Sequence, residues 1–511
     1  MRAVMSGSWL MALLLACVAT ANEAESPPDD ASVDLAASAP VEPSGDDEPA
    51  SAASAETSVE LAETAPPAEP PPESMASRVR LELDVRGELF APTGRDSEPV
   101  RQPITVEARF DFVEQPPATV GTVATSRIYS EARAAIRVDG QADEITLPAD
   151  ARRVEVALRG TTPAPYLADG FLSRGEADLL DTPFDSLLLD RLLPTEPVAI
   201  GAKWTVPADA AAGMLAIDTV ESGSLEAELT AVEEDLATVR ITGIIDGAAD
   251  GVATHLTIEG DCSAATAVVD GAPASRRLVA VQVAAVTIRE RRQASHVAPG
   301  FDVEARVAIA RRPVAPAVVE ATATALETPP SSRRRGTGQP GLVWHLDRDG
   351  GYDLVCDARW RVVEDGPTGL VLRFLDRGAL IGQCSLTTLP RSDALAPPTI
   401  AEVQRDIERS LAGQFGRFET ASEATRSDGV RIVRVVSEGT AENLPFRWIH
   451  HVLTDASGRR AAATFMLEAS VAKRFGTADR EFVDGLAFPA TPAPGAPTDR
   501  EARVPRETVT P

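Results

Sequence analysis

From Arg78 onward, apolar and polar positions alternate. Val79, Leu81, Leu83 and Val85 interleave with Arg80, Glu82, Asp84 and Arg86. That is the period-two pattern of a strand with one buried and one solvated face. Ile104, Val106, Ala108, Phe110 and Phe112 repeat it, as do Val154, Val156 and Leu158, then Leu225, Ala227 and Leu229. Val239 and Ile241 make another, and Leu256 and Ile258 follow the turn-rich Asp246 to Gly251. Leu278 to Ile288 and Val303 to Ile309 complete the set. So many strands joined by turns predict a β-rich antiparallel domain over residues 78–313, an open barrel or a sandwich. One stretch departs from the period. Pro183 suits a first helical position, Phe184, Leu187, Leu188, Leu192 and Leu193 follow, and Pro194 and Pro197 end the run. This predicts one helix covering an open side of the sheet, with Trp204 anchoring the strand after it.

Residues 342–489 mix both periods. Strands are expected at Trp360 to Val363, Leu370 to Leu375, Ala379 to Leu386, Val430 to Glu438, Phe446 to Thr454 and Arg460 to Glu468. Asp376-Arg377-Gly378 and Ala456-Ser457-Gly458 supply hairpin turns. Between the strand groups, Thr399 and Glu402 form a T-x-x-E capping box, and Ile400, Val403, Ile407, Leu411 and Phe415 share one helical face. A closing helix is expected near Thr477 to Leu486, with Phe482, Val483 and Leu486 turned inward. The order predicts an α+β domain, an antiparallel sheet with packed helices. Gly382-Gln383-Cys384-Ser385-Leu386, the capped helix, the hairpin Leu444 to His451 and the ending Val471 to Phe475 resemble PsbP-like α/β/α domains. The resemblance implies a non-enzymatic binding or assembly module for this domain alone. The first domain, with its Leu-Leu-Pro and Gly-x-x-Trp segment, resembles uncharacterised exported proteins of planctomycete-type bacteria. Neither resemblance carries a functional residue over.

The segment between the domains, residues 314–341, is rich in Ala, Thr and Pro and ends in Arg333-Arg334-Arg335. It reads as a linker, the arginines as a solvated hinge. The chain opens with Arg2 and an apolar run from Trp9 to Ala16, followed by Ala19-Thr20-Ala21. That is a secretory signal over residues 1–21, too short to span a bilayer, which needs roughly 20 apolar residues. Leu14-Leu15-Ala16-Cys17 also resembles a bacterial lipobox, which makes Cys17 the candidate lipidation site. Either reading sends the protein to the periplasm, cell envelope or exterior. Residues 22–77 contain neither Lys nor Arg and are built from Ala, Pro, Glu, Ser and Asp. Such a segment is expected to be a disordered acidic spacer. Residues 490–511 are expected to be a loose tail. Lysine is rare and arginine common, a bias that suggests a high-GC bacterial genome.

The formal net charge of -28 argues against nucleic acid or an anionic membrane as partner. Membrane contact is expected only through the signal or a Cys17 lipid. Candidate chemistry is sparse: the chain has no G-x-S-x-G, H-E-x-x-H, P-loop or dinucleotide fingerprint. Cleavage before Asn22 leaves Cys262, Cys356 and Cys384. Cys356 and Cys384 are able to pair within one domain, and the alternative is small buried hydrophobes on strands. His450 and His451 are adjacent on a predicted strand and point to opposite faces, one inward and one outward, so they do not chelate one metal. Asp246 and Asp250 sit in a turn without the oxygen spacing of a calcium hand. No catalytic, cofactor or metal residue is assigned. The expectation is a non-catalytic exported envelope protein, its first domain binding an apolar or peptide ligand or an envelope partner and its second acting as an assembly module. The alternatives are a lipid carrier and a hydrolase whose motif is not legible.

Overall fold

The computed structural model describes residues 76–91, 99–116, 124–268, 275–293, 299–325, 333–334, 336–347, 351–366, 369–391 and 398–489. The signal, Cys17, the acidic spacer up to residue 75 and the C-terminal tail lie outside the described residues, and Ser77, read as the end of the spacer, already belongs to the first strand. The protein is β-rich, antiparallel and multidomain.

The first domain contains β1 (Ser77–Ala91), β2 (Val100–Gln115), β3 (Ala124–Val138), β4 (Gln141–Thr146), β5 (Arg153–Arg159), β6 (Thr162–Tyr166), β7 (Val198–Ala199), β8 (Lys203–Val206), β9 (Thr219–Glu233), β10 (Leu236–Ala249), β11 (Val252–Val268), β12 (Ser275–Arg292) and β13 (Gly300–Pro313). They form one open sheet in the order β6-β5-β3-β2-β1-β13-β12-β11-β10-β9-β8, with β4 on β3 and β7 on β12. β1 and β13 join the two halves, with Leu81 opposite Ile309 and Leu83 opposite Val307. The apolar phase read from the sequence is the buried face: Val79, Leu83, Val106, Ile136, Val239 and Ile258 are at most 1% exposed. Several inward positions are glycines where strands approach closely, Gly87 and Gly260 among them. A Cβ on Gly87 would sit 2.2 Å from the Asp302 carbonyl oxygen, and one on Gly260 2.4 Å from that of Ala285. Glycine is what allows the approach.

The expected helix at 183–193 is not formed. Phe184 takes a positive φ of 56°, outside the helical region, and donates its N–H to the Met214 carbonyl oxygen at 2.7 Å. Only Leu189–Leu192 make a 3-10 turn. The leucines still enter the core, because their role is burial and the strap needs no helical period to supply it. The α-helices here are short: α1 (Arg174–Leu180), with a Ser173/Glu176 capping box, and α2 (Ala208–Met214). Within the presumed linker, α3 (Pro316–Ala325) lays Val319 against Val113 and Ile128.

The second domain has β14 (Leu342–Leu346), β15 (Asp353–Asp357), β16 (Trp360–Gly366), β17 (Gly369–Asp376), β18 (Ala379–Leu389), β19 (Phe415–Thr425), β20 (Arg431–Ala441), β21 (Leu444–Thr454), β22 (Arg460–Glu468) and β23 (Leu486–Ala487). A seven-stranded sheet runs β16-β17-β18-β22-β21-β20-β19, beside a small β14-β15-β23 sheet. The capped helix α4 (Ile400–Leu411) forms and packs Val403 and Ile407 on Val433 and Val435, whereas Phe415, expected on its face, opens β19 after a 3-10 turn. α5 (Ala472–Phe475) and α6 (Ala478–Asp484) take the opposite face. There Trp360 meets Phe374 at 4.9 Å and Phe482 at 5.0 Å between ring centroids.

Candidate functional site

The buried face of the first sheet is closed by the strap of residues 167–193. Leu172, Leu179, Phe184, Leu188, Leu189 and Leu192 are all fully buried. Polar groups fasten it. Arg127, on β3, donates from Nη1 and Nη2 to the two Asp185 oxygens at 2.8 and 2.6 Å, and from Nε to Glu114 at 2.9 Å. Ser186 donates to Glu114 at 2.6 Å. The guanidinium lies 4.9 Å over the Phe112 ring. Burial alone would lower the Arg127 pKa; Asp185 and Glu114 outweigh it and hold the group charged. Burial pushes the neighbouring Tyr129 phenol up to about 12. A second fastening runs from Arg311 to Asp190 at 2.6 Å, and a third from the Trp204 indole to the Leu192 carbonyl at 2.7 Å. The space left beside Arg127 and Tyr129 is about 10 Å³, at the lower limit for a single water.

The larger concavity, about 480 Å³, is a trough on the outer face of the same sheet. Its floor follows from register: Asp261 faces Ala285, Ala285 faces Ala308, and Ala308 faces Glu82. Two alanines between long charged neighbours make a dip. Arg240 and Arg306 stand with Glu82, Asp84, Glu259 and Asp261 around it.

A third constellation lies where the domains meet. Arg361 of β16 reaches Asp250 at 3.3 Å and Asp178 at 3.8 Å. Arg174 donates to the Ala358 carbonyl at 2.8 Å and to Asp178 at 2.9 Å. Arg292 holds Glu290 at 2.8 Å and Asp250 at 3.5 Å. Burial raises the carboxyl pKa of Asp178, against the pull of Arg174. Burial, with Asp218 beside it, raises Asp250 well above the usual range. Burial raises Asp218 too, and burial with Asp178 pushes Asp181 to about 7. Asp181 is partly accessible at its edge but closely surrounded by protein.

Of the arginines read as a solvated hinge, Arg333 and Arg334 are docked, and Arg335 lies outside the described residues. Arg333 is held by Asp150 at 2.9 Å and by Glu176 at 2.5 Å, and Arg334 by Asp353 at 2.5 Å and the Gly485 carbonyl at 2.7 Å. Asp150 and Glu176 of the first domain and Asp353 of the second present carboxylates to this short run. Cys262, Cys356 and Cys384 are free and buried, so the second reading of their role, small buried strand residues, applies. His451 points inward, its Nε2 2.9 Å from Asp479, which also takes the Arg434 Nε at 2.7 Å. His450 lies on the other face, half-buried, 3.2 Å from the Thr464 hydroxyl. Asp246 meets His255 at 2.7 Å on the surface, whereas Asp250 is drawn into the junction. No group of three or more His, Cys, Asp or Glu side chains among the described residues is placed to hold a metal ion. Sequence reasoning missed Arg127, Glu114, Asp185 and the junction carboxylates. A signal existed: Glu114 continues the apolar phase of Phe110 and Phe112, and Glu290 and Arg292 continue that of Val286 and Ile288. A charge in the buried phase needs a partner.

No family model and no curated protein matches the chain. Among solved structures, it is similar to PsbP (CyanoP) from the cyanobacterium Synechocystis sp. PCC 6803, at 14% identity, covering 32% of this chain and 100% of that one, with a TM-score of 0.26. It is also similar to lipovitellin, at 7% identity, covering 53% of this chain and 27% of that one, with a TM-score of 0.26. Scores this low assign neither fold nor function. No described helix is long and apolar enough to cross a membrane, which says nothing of a β-barrel.

Proposed function

We propose that the chain is a non-catalytic exported protein of the bacterial envelope, with the first domain binding a partner and the PsbP-like second domain serving as an assembly module. The outer trough supports this reading most. It is the roomy surface of the first domain, and it presents both signs of charge around a shallow floor of alanines. Such a surface suits an extended polypeptide better than a small substrate, which calls for an enclosed, largely apolar pocket. Among the described residues, the three thiols are buried and His451 is held by Asp479. A photo-reactive side chain at Thr287, in the trough, is expected to cross-link a discrete partner in the native cells. The same probe at Glu226, outside it, is expected to give none. Equal labelling from both positions, or none from either, would sink the trough as the binding surface.

A second reading, carriage of an apolar ligand, is favoured by one observation: the apolar sheet face is covered by a separate strap fastened at a few polar points. The closed arrangement leaves about 10 Å³, so carriage requires the strap to leave the sheet. Native mass spectrometry of the purified full chain separates the readings. Carriage predicts a co-purified lipid mass, and partner binding predicts the bare polypeptide.

A further inference from the structure

The strap over the apolar sheet face is held from two sides. Its second half is fastened to its own domain, through Asp185 to Arg127, Asp190 to Arg311, and the Phe184 N–H to the Met214 carbonyl. Its first half, residues 167–180, divides its contacts. Leu167, Leu172, Leu179 and Leu180 enter the core of the first domain. The backbone between them bonds to the run leading into the second domain and to that domain's first strand. Gly170 donates to the Gly336 carbonyl at 2.7 Å and Gly338 to that of Ala168 at 3.2 Å, around an antiparallel bridge between Asp169 and Thr337. Trp344 of β14 donates to the Leu172 carbonyl at 2.8 Å, beside a parallel bridge between Ser173 and Trp344. The strap thus extends the small sheet past its edge strand, β14. α1 continues the pattern: Arg174 donates to the Ala358 carbonyl, Glu176 takes Arg333, and Asp178 faces Arg361. Ala177 packs against the cores of both domains.

We propose that the second domain, with Arg333 and residues 336–338 leading into it, is the clasp of the strap: it holds residues 167–180 down on the sheet, and letting go of them uncovers the apolar face at that end. The physical reason lies in the backbone. Buried N–H and C=O groups need partners. For Ala168, Gly170 and Leu172 the partners are Gly338, Gly336 and Trp344. Without them, these groups are satisfied only by leaving the sheet for water, and they take Leu167 and Leu172 with them. α1 has no hold of its own, because it is seven residues long and isolated helices under about 12 residues are marginal in water. Its stability is lent by the core on one side and by Arg333, Ala358 and Arg361 on the other. This role is independent of the trough; it names what keeps the strap down, on which the carriage reading depends.

One methyl group tests the clasp. A Cβ on Gly338 would sit 1.7 Å from the Leu167 carbonyl oxygen and 2.9 Å from that of Gly170, and the φ of Gly338 is not left-handed, so the contact alone opposes a side chain. Gly338→Ala therefore wedges the two runs apart. Hydrogen–deuterium exchange on the full chain is expected to show residues 167–180 exchanging about tenfold faster or more in this variant, with residues 79–113 of the sheet at the parent's rate. Ile407→Ala, which weakens the second domain under α4 and away from the clasp, is expected to leave residues 167–180 protected. Parent-like protection of 167–180 in Gly338→Ala overturns the proposal. So does faster exchange spread evenly over the first domain, or the same loosening in Ile407→Ala. Should Gly338→Ala not fold, as read by near-ultraviolet circular dichroism, Arg333→Gln combined with Arg361→Gln is judged by the same criteria. A fluorescent long-chain fatty acid, added to the loosened variant, separates clasp from carriage: saturable uptake supports both, and a loosened strap without uptake keeps the clasp and removes the carriage reading.

Discussion

Arg127 and Asp185 meet in a two-pronged ion pair that ties the covering strap to the third strand of the large sheet, with N–O distances of 2.8 and 2.6 Å. Both residues are almost fully buried, at 3% exposure each. Removing one partner leaves the other charge without compensation. Asp185→Asn is expected to lower the stability of the first domain by about 3–5 kcal/mol, measured by urea unfolding of the full chain. The triple replacement Arg127→Met, Asp185→Leu and Glu114→Gln is expected to recover most of that loss, since it leaves none of the three buried charges behind. A triple variant as unstable as the single one would show that the cluster contributes more than mutual neutralisation.

The capped helix of the second domain tests packing. Thr399 accepts from the Glu402 amide at 3.3 Å, and Glu402 accepts from the Thr399 amide at 2.8 Å. Thr399→Ala is expected to cost about 1 kcal/mol. Ile407, 5% exposed against Val433 and Val435, is expected to cost about 2–5 kcal/mol when truncated to alanine. Glu408→Ala, on the outer face, should be nearly neutral in thermal unfolding.

Acid should weaken the second domain. Burial would raise Asp479, but bonds from His451 and Arg434 outweigh it and hold its pKa low. Burial lowers His451 despite Asp479, and burial with His451 beside it lowers His450 to about 4. Each group therefore binds fewer protons folded than unfolded. The histidine contribution is full above the ordinary value near 6.5 and is lost as pH falls toward 4, with Asp479 following below that. Urea midpoints for the second-domain transition should fall over pH 6.5 to 4. In His450→Gln the fall should be shallower. A midpoint that rises over this range would contradict the assignment.

Cys262, Cys356 and Cys384 are sealed, and burial pushes the first two up to about 12. Iodoacetamide at pH 8 is expected to leave all three unmodified in the native chain and to alkylate them after denaturation. Mass spectrometry that finds a modified native thiol would show an opening near that residue.

Much of the fold was legible because period two survives wherever a sheet buries one face. Val79 to Val85 and Phe110 with Phe112 report their strands directly, and Thr399 with Glu402 marks a helix start whose partners are all local. The strap was misread because leucines recurring near a proline satisfy a helical template, while their actual conformation answers to the sheet beneath and to Asp185. The junction was not legible at all. Asp178, Asp250 and Arg361 are far apart in sequence, each unremarkable alone, and only docking turns them into one cluster. Glu114 falls between these cases: its place in the buried phase of Phe110 and Phe112 is visible, but its partner Arg127 lies on a strand whose pattern does not announce itself in the sequence.

The central claim is that the first domain works through its outer surface, with the inner apolar face closed by the strap. Titrating the full chain with a fluorescent long-chain fatty acid tests this most directly. No saturable uptake is expected from the parent chain, and uptake is expected from Asp185→Asn, whose strap has lost its fastening to Arg127. Saturable one-to-one binding by the parent chain, displaced by unlabelled fatty acid, would contradict it and leave the carrier reading in its place.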